Sequence, residues 1–292
     1  MLLSNYLVGI FSVLKNAWAP ILLGLIINVL IEIFIPKKLI LSGFHKKDFL
    51  TIIRASFSGL LISGLSFGVI PLIVSLRKNG ASFPACAAML AFTPWTGALG
   101  LMIVGSYVGF WNLMILLGCS FLLSIMVGLI ISMLEKFNLL KSRAVIEKEY
   151  LSINKYHDFE NYLSRKTGLK EISISISELL KNVFIAILFT AFFQLIFSNE
   201  FVSTYFSNNY SVLYAIPLAT LIEIIGEGFS IFAGELYLLG ANLGVVFSII
   251  IAGVITDINE LSMLDKIFSK KAATAYLLIS LAGVVVFSYL LI

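Results

Sequence analysis

Two apolar runs of this chain break near their middles, and a break at that depth is the strongest restriction on the fold. The first is Ser66-Phe67-Gly68-Val69-Ile70-Pro71, inside the run 51–76. The second is Glu223-Ile224-Ile225-Gly226-Glu227-Gly228, inside the run 212–238. Within a bilayer the backbone has no water to bond, so irregular chain survives only under cover of protein or along a wet cavity. Matched interruptions in the two halves of a membrane chain point to a binding site near the midplane.

That the chain lies in a membrane follows from composition. Sixty per cent of the 292 residues are hydrophobic and 12% charged, which leaves room for six or more crossings of about 20 residues each. The formal charge of +4 is then a topology signal rather than a sign of nucleic-acid binding, because no Lys/Arg cluster is interleaved with aromatic side chains. Cys86 and Cys119 stand alone in apolar segments, so the chain has neither a disulfide framework nor a metal-ligand spacing. Residues 1–14 lack a basic start and a small-residue cleavage site, so no cleavable signal is expected. Being too short to span, they predict an interfacial or packing helix. No cofactor is implied.

In chain order, the first span is Ala17–Ile35, closed by Pro36 and Lys37-Lys38. A basic connection, 36–50, leads to two apolar runs, 51–76 and 81–106, separated by Arg77-Lys78-Asn79-Gly80. A plain span follows at 112–134. Residues 135–178 form the one sizeable polar segment. Ser175 with Glu178 fits a capping box and predicts a helix from Ile176 to about Phe197. A loop without Lys or Arg precedes the runs 212–238 and 241–262, split at Gly240, and a last span covers 272–291.

The halves match. A shift of 160 residues, without gaps, places Gly68 on Gly228, Leu76 on Leu236, Gly80 on Gly240, Ala81 on Ala241 and Thr96 on Thr256. The order of elements repeats with them, which predicts an internal repeat: a first membrane repeat at 1–134, a cytoplasmic polar linker at 135–177 and a second repeat at 178–292. Of the 20 Lys and Arg residues, all but Lys15 fall in 37–54, 77–78, 136–181 and 266–271. Cytoplasmic loops collect such residues. If all four stretches are cytoplasmic, the run 51–76 starts and finishes inside, as a re-entrant hairpin, and 212–238 does the same from outside. Each repeat then has three crossings and one broken-helix hairpin, the second repeat is inverted, and both termini face outward. The alternative, in which both runs cross fully, places Arg77-Lys78 outside. Trp18, Tyr107 and Trp111 fall at the expected outer interface, where amphipathic rings prefer to sit. Trp95 instead follows Pro94 in mid-crossing, at a second break. It is read either as a substrate contact or as ordinary packing.

The fold class expected is therefore an all-α polytopic membrane protein whose re-entrant tips meet near the midplane. Helices leaving a tip point free N–H groups at the cavity, and helices arriving bring carbonyls suited to cations. Ser66 and Gly68 lie at the first tip. Pro71 lies just past it, where a missing N–H costs least. A carboxylate inside the hydrocarbon is costly by several kcal/mol and is a functional candidate by default. Glu223 and Glu227, four apart, flank the second tip. Two carboxylates that close in low dielectric do not both ionise unless a cation sits between them. They are the pair that would hold a metal ion if one binds. Thr256, Asp257 and Glu260 follow the second break and add oxygen ligands, while Thr93 and Trp95 belong to its first-half counterpart. Glu235, near a helix end, is expected at the interface. Glu223 and Glu227 also have a purely structural reading, in which they bond backbone N–H groups freed by the broken helix. Enzyme chemistry is poorly provided for: His45 and His157 both fall in cytoplasmic loops, and Asp257 is the one Asp in a membrane run.

Gly68-Val69-Ile70-Pro71-Leu72 and Ser75-Leu76-Arg77-Lys78-Asn79-Gly80-Ala81-Ser82 resemble a family of predicted permeases that includes organoarsenical efflux proteins and putative copper/zinc exporters. Members read CSCGVIPL, then SLRRKGAS, then a Thr/Gly-Pro turn, here Thr93-Pro94. Glu223 to Gly228 resembles the EVCSEG stretch, and Ala252-Gly253-Val254-Ile255-Thr256-Asp257 with Glu260 resembles AGVATDYTE. The resemblance covers about 17–134 and 178–290. It implies an exporting permease of the cytoplasmic membrane, whose partners are the bilayer and a small-molecule or ion substrate, with a proton as a possible coupling ion. The motif cysteines are Leu65, Phe67 and Ile225 here. Soft metals and trivalent arsenicals bind thiolates, so that substrate does not simply carry over, and the remaining carboxylates favour protons, harder cations or a cationic or polar solute. The competing reading is a channel or non-transporting scaffold whose carboxylates hold broken helices together.

Overall fold

The computed structural model describes residues 2–34, 44, 48–62, 69–78, 80–92, 97–140, 169–222 and 228–292. Among them the chain is all helical. The first half holds α1 (Leu2–Phe34), α2 (Phe49–Ile62), α3 (Val69–Lys78), α4 (Phe83–Phe92), α5 (Ala98–Val108) and α6 (Phe110–Lys136). The second holds α7 (Leu169–Ile196), α8 (Asn199–Phe206), α9 (Ser211–Ile222), α10 (Phe229–Leu238), α11 (Leu243–Ile255), α12 (Ile258–Ile267) and α13 (Lys270–Leu290). Four stretches are long and apolar enough to cross a membrane: Leu3–Ile31, Phe110–Lys136, Ile176–Ile196 and Lys270–Leu290. A fifth crossing is available from α11 and α12 together, bent by 46° at Thr256-Asp257. The long helices expose large apolar side chains, such as Phe11 and Leu22 of α1, Leu122 of α6, Phe184 of α7 and Leu278 of α13. A water-soluble domain does not carry apolar surface on that scale, and a bilayer accepts it.

The helix starts recur at one spacing along the chain. Val69 and Phe229 open α3 and α10, Phe83 and Leu243 open α4 and α11, Ala98 and Ile258 open α5 and α12, and Phe110 and Lys270 open α6 and α13. Each pair lies 160 residues apart. Gly80 and Gly240 take the same left-handed backbone, with φ of 83° and 101°. Each is followed by an alanine whose N–H closes the preceding helix, Ala81 on the Leu76 carbonyl and Ala241 on the Leu236 carbonyl, both at 2.9 Å. Glycine is the residue for that conformation, and the hydrogen bond is the usual way to satisfy an end carbonyl.

Packing repeats as well. Helix α2 lies on α4 and α6, as α9 lies on α11 and α13; α5 meets α10, as α12 meets α3; α6 packs against its own counterpart α13. The correspondence reaches single residues. A Cβ at Gly128 of α6 would stand 2.9 Å from the Ala88 Cβ and 3.1 Å from the Pro84 carbonyl oxygen of α4. The positions 160 further on are Ser288, Ser248 and Gly244. There the two serine hydroxyls bond at 2.7 Å, and a Cβ at Gly244 would strike the Ser288 carbonyl oxygen at 2.3 Å. Both contacts need a small residue because the backbones approach so closely. Helix α4 is buried along its whole length, and α11 from Gly244 to Ile255. Apolar on every side, these two form the centre of the bundle.

In its helix boundaries the structure departs from the sequence expectations at three places. Residues 2–34 make one helix rather than an interfacial helix followed by a span; Pro20 sits inside it without ending it, as neighbouring helices in a membrane bundle allow. Helix α7 begins at Leu169, seven residues before the expected capping-box start, although its spanning part does begin at Ile176. The connection between α7 and α9 carries a helix of its own, α8, capped by Ser198, whose hydroxyl accepts from the Phe201 N–H at 3.2 Å.

Candidate functional site

The helices on either side of each expected break are in place. Helix α2 ends at Ile62 and α3 begins at Val69; α9 ends at Ile222 and α10 begins at Phe229, after Gly228. Pro71 falls in the first turn of α3. The tip residues Ser66, Gly68, Glu223 and Glu227 lie outside the described residues, as do Thr93 and Trp95 between α4 and α5. The arms of each run make their main contacts elsewhere, α2 with α4 and α6, α3 with α4 and α12.

The break between α11 and α12 is described in full. Thr256 closes α11, its hydroxyl donating to the Ala252 carbonyl at 2.8 Å. Asp257 caps α12: its Oδ1 accepts from the Asn259 N–H at 2.6 Å and the Glu260 N–H at 3.4 Å. A carboxylate there satisfies orphan donors and complements the helix dipole, so Asp257 has a structural task whatever else it does. Glu260, in the first turn of α12, is only 6% exposed, and α12 packs against α13. The hydroxyls of Tyr276 and Ser280, one turn apart on α13, are buried and have no hydrogen-bond partner among the described residues. Glu260 thus faces a polar stripe of α13 inside the bundle rather than solvent.

A second polar centre lies where the sequence did not place one. Glu235 of α10, expected at the interface, is 4% exposed. Its Oε1 accepts from the Tyr107 hydroxyl of α5 at 2.8 Å and from the Asn16 amide of α1 at 3.2 Å. Its Oε2 accepts from the Gln194 amide of α7 at 3.0 Å. Tyr107, expected in an interfacial belt, is therefore turned inward. Space for its ring exists because residue 234 is glycine; a Cβ there would stand 2.3 Å from Tyr107 Cδ2. One turn of backbone further along, the Tyr237 hydroxyl accepts from Asn112 at 3.1 Å, which ties the α5–α6 corner to the end of α10. Phe189 and Phe193 of α7 pack edge-on against Phe232, at 5.4 and 5.0 Å between centroids, and hold α7 along α10. The sequence signal was present but faint: Asn16, Tyr107 and Gln194 are isolated polar side chains in apolar helices, and only the packing of four helices brings them together.

Among the described residues no group of three or more His, Cys, Asp or Glu is arranged to hold a metal ion. Cys86 is buried in α4 and Cys119 half-buried in α6, both as free thiols. A family model described as "Predicted permease" matches residues 4–292. No curated protein and no solved structure matches the chain.

Proposed function

The chain belongs to this predicted-permease family, and on that premise we propose that it is a secondary transporter, exporting across the cytoplasmic membrane by alternating access of two inverted repeats. The observation that supports the proposal is the recurrence of helix starts at a spacing of 160 residues, because discontinuous helices in paired repeats are where such proteins bind substrate and coupling ion. Inversion is supported by charge. Helix α6 ends on Lys136, whereas its counterpart α13 begins with Lys270-Lys271. Basic residues collect on the cytoplasmic side, so the two helices run in opposite directions through the bilayer.

The transport site lies between the re-entrant tips. Ser66, Gly68, Pro71, Glu223 and Glu227 line it, joined by Thr93, Trp95, Thr256, Asp257 and Glu260 from the second breaks. With Leu65, Phe67 and Ile225 in the thiol positions of the family motifs, its donors are oxygens, and the substrate class is a cation or a small polar or cationic solute. A carboxylate pair at the Glu223–Glu227 tip exchanges that cation for protons.

A second reading, a non-transporting scaffold, has one observation in its favour: Asp257 is engaged as a helix cap. Purified protein in proteoliposomes separates the two. Saturable counterflow of a cationic substrate, dependent on a proton gradient and lost in Glu223→Gln, supports the transporter. Absence of flux for every cation that stabilises the protein against unfolding supports the scaffold.

A further inference from the structure

Glu235 is a buried carboxylate held by neutral groups alone. Its partners are two amides and a phenol, and no Lys, Arg or His pairs with it among the described residues. Among the described residues the surroundings supply no hidden counter-charge. Helix α11, packed on α10, contains no titratable residue, and α5 contains only Tyr107. On α1, Lys15 is exposed and Tyr6 donates to the Leu188 carbonyl at 3.1 Å. The charged residues of α7 all lie between Lys170 and Lys181, so the nearest is 13 residues from Gln194, about 20 Å along the helix. On α10 itself the other titratable group is Tyr237, engaged with Asn112.

A carboxylate locked to Arg or Lys stays ionised, because protonation would strand a buried cation. Neutral partners impose no such lock. An amide presents an oxygen or an NH2 after a half-turn, and a phenol donates or accepts. The Asn16–Tyr107–Gln194 set therefore satisfies both forms of Glu235: three donors to the carboxylate, or two donors and one acceptor for the acid. The partners sit directly on the carboxylate oxygens at 2.8 to 3.2 Å, which leaves no room between them for a metal ion, whose oxygen ligands must surround it at about 2.0–2.6 Å. Asn16 lies on the outer face of α1, near the middle of its spanning stretch, while its amide reaches Glu235.

We infer that Glu235, with Asn16, Tyr107 and Gln194, is a proton-binding site on the joint between the two halves of the chain. The proton is drawn from bulk water as the pH falls and adds to one carboxylate oxygen. The new O–H then donates to an amide or phenol oxygen that has turned to meet it. Asn16 and Tyr107 belong to the first half, and Gln194 and Glu235 to the second. Gain or loss of the proton rearranges bonds that cross between them. The inference does not depend on what the protein carries or on whether it transports.

The test is pH-difference infrared spectroscopy on the purified full chain in lipid nanodiscs, with choline as the only added cation. The expected result is a protonated-carboxyl band that rises as pH falls, is lost in Glu235→Gln and is kept in Glu200→Gln, a change on α8 away from the cluster. Tyr107→Phe keeps the ring over Gly234 but removes one bond, and should move the band's frequency; this arm stands even if Glu235→Gln does not fold. An identical band in Glu235→Gln, or an unmoved band in Tyr107→Phe, overturns the inference. So does a band abolished by sodium at constant pH and ionic strength, which would make the site one for a metal cation.

Discussion

The ring of Tyr107 occupies the space that a side chain would fill at Gly234, where a Cβ would stand 2.3 Å from its Cδ2 and 2.5 Å from its Cγ. The next residue, Glu235, accepts the hydroxyl of the same tyrosine at 2.8 Å. Gly234→Ala must push a buried ring aside, at the overpacking cost of about 1–3 kcal/mol, and pull the hydroxyl off Glu235. Thermal unfolding in detergent should show the loss. Tyr107→Ala removes the obstacle as well as the bond, so the double variant should be less destabilised than the sum of the singles. Strict additivity would mean that the two residues are not in this contact.

The glycine turns at Gly80 and Gly240 share one conformation, and the proposed inversion places them on opposite faces of the membrane. With Cys86 and Cys119 changed to Ala, Asn79→Cys should react with a membrane-impermeant thiol reagent only from the cytoplasmic side. Leu239→Cys should react only from outside. Reaction of both from one side ends the inverted arrangement while leaving the 160-residue recurrence standing.

Long spans and glycine turns were legible in the chain because both are local: an apolar run as long as a bilayer is thick, or a Gly-Ala between two apolar runs, carries its meaning in adjacent residues. The recurrence was legible for the same reason, as Gly80 and Gly240 head equivalent turns. What escaped was set by neighbours distant in sequence. Glu235 read as interfacial from its place near a helix end, since nothing nearby revealed that Asn16 and Gln194, 219 and 41 residues away, would enclose it. The cap that Asp257 makes on α12 was not legible either, since it depends on the helix restarting at Ile258; it adds a structural task to the ligand reading without deciding it. The tip residues Glu223 and Glu227 remain a reading of the sequence and of the helices that approach them.

Cys86 lies in a helix buried on all sides, and Cys119 is half-buried against the core. Both are small apolar packing groups. Changing both to Ala should leave transport unchanged within about twofold, with a modest stability cost of order 1 kcal/mol for the lost packing. Loss of flux with normal membrane levels of the double variant would assign a thiol to the transport site after all.

Asp257 offers a way to separate a cap from a ligand. As a cap alone, Asp257→Asn keeps a side-chain oxygen for the Asn259 and Glu260 N–H groups and should be nearly neutral, whereas Asp257→Ala should cost about 0.5–2 kcal/mol. A ligand for a cation needs the negative charge, so transport would then fall in Asp257→Asn at unchanged stability. Measuring flux and unfolding on the same two variants decides between the two roles, and full flux in Asp257→Asn removes this residue from the proposed transport site.

Glu227 carries the sharpest expectation for the transport reaction. In the sequence it stands between Gly226 and Gly228, four residues after Glu223 and two before α10 starts at Phe229, and the proposed inversion puts it at the outer tip. A carboxylate beside a second carboxylate in low dielectric is held ionised only by a bound cation, and takes a proton when the cation leaves. That exchange is what couples substrate to proton in the proposed cycle. Glu227→Gln keeps the shape and the hydrogen bonding but cannot ionise. Transport and its pH dependence should both be abolished, while expression, membrane insertion and thermal stability stay close to wild type. Glu227→Asp, which keeps the charge on a shorter arm, should retain part of the flux. Wild-type transport by Glu227→Gln, or failure of that variant to fold while Glu227→Ala folds no better, would make the residue a brace for the broken helix and remove it from the site.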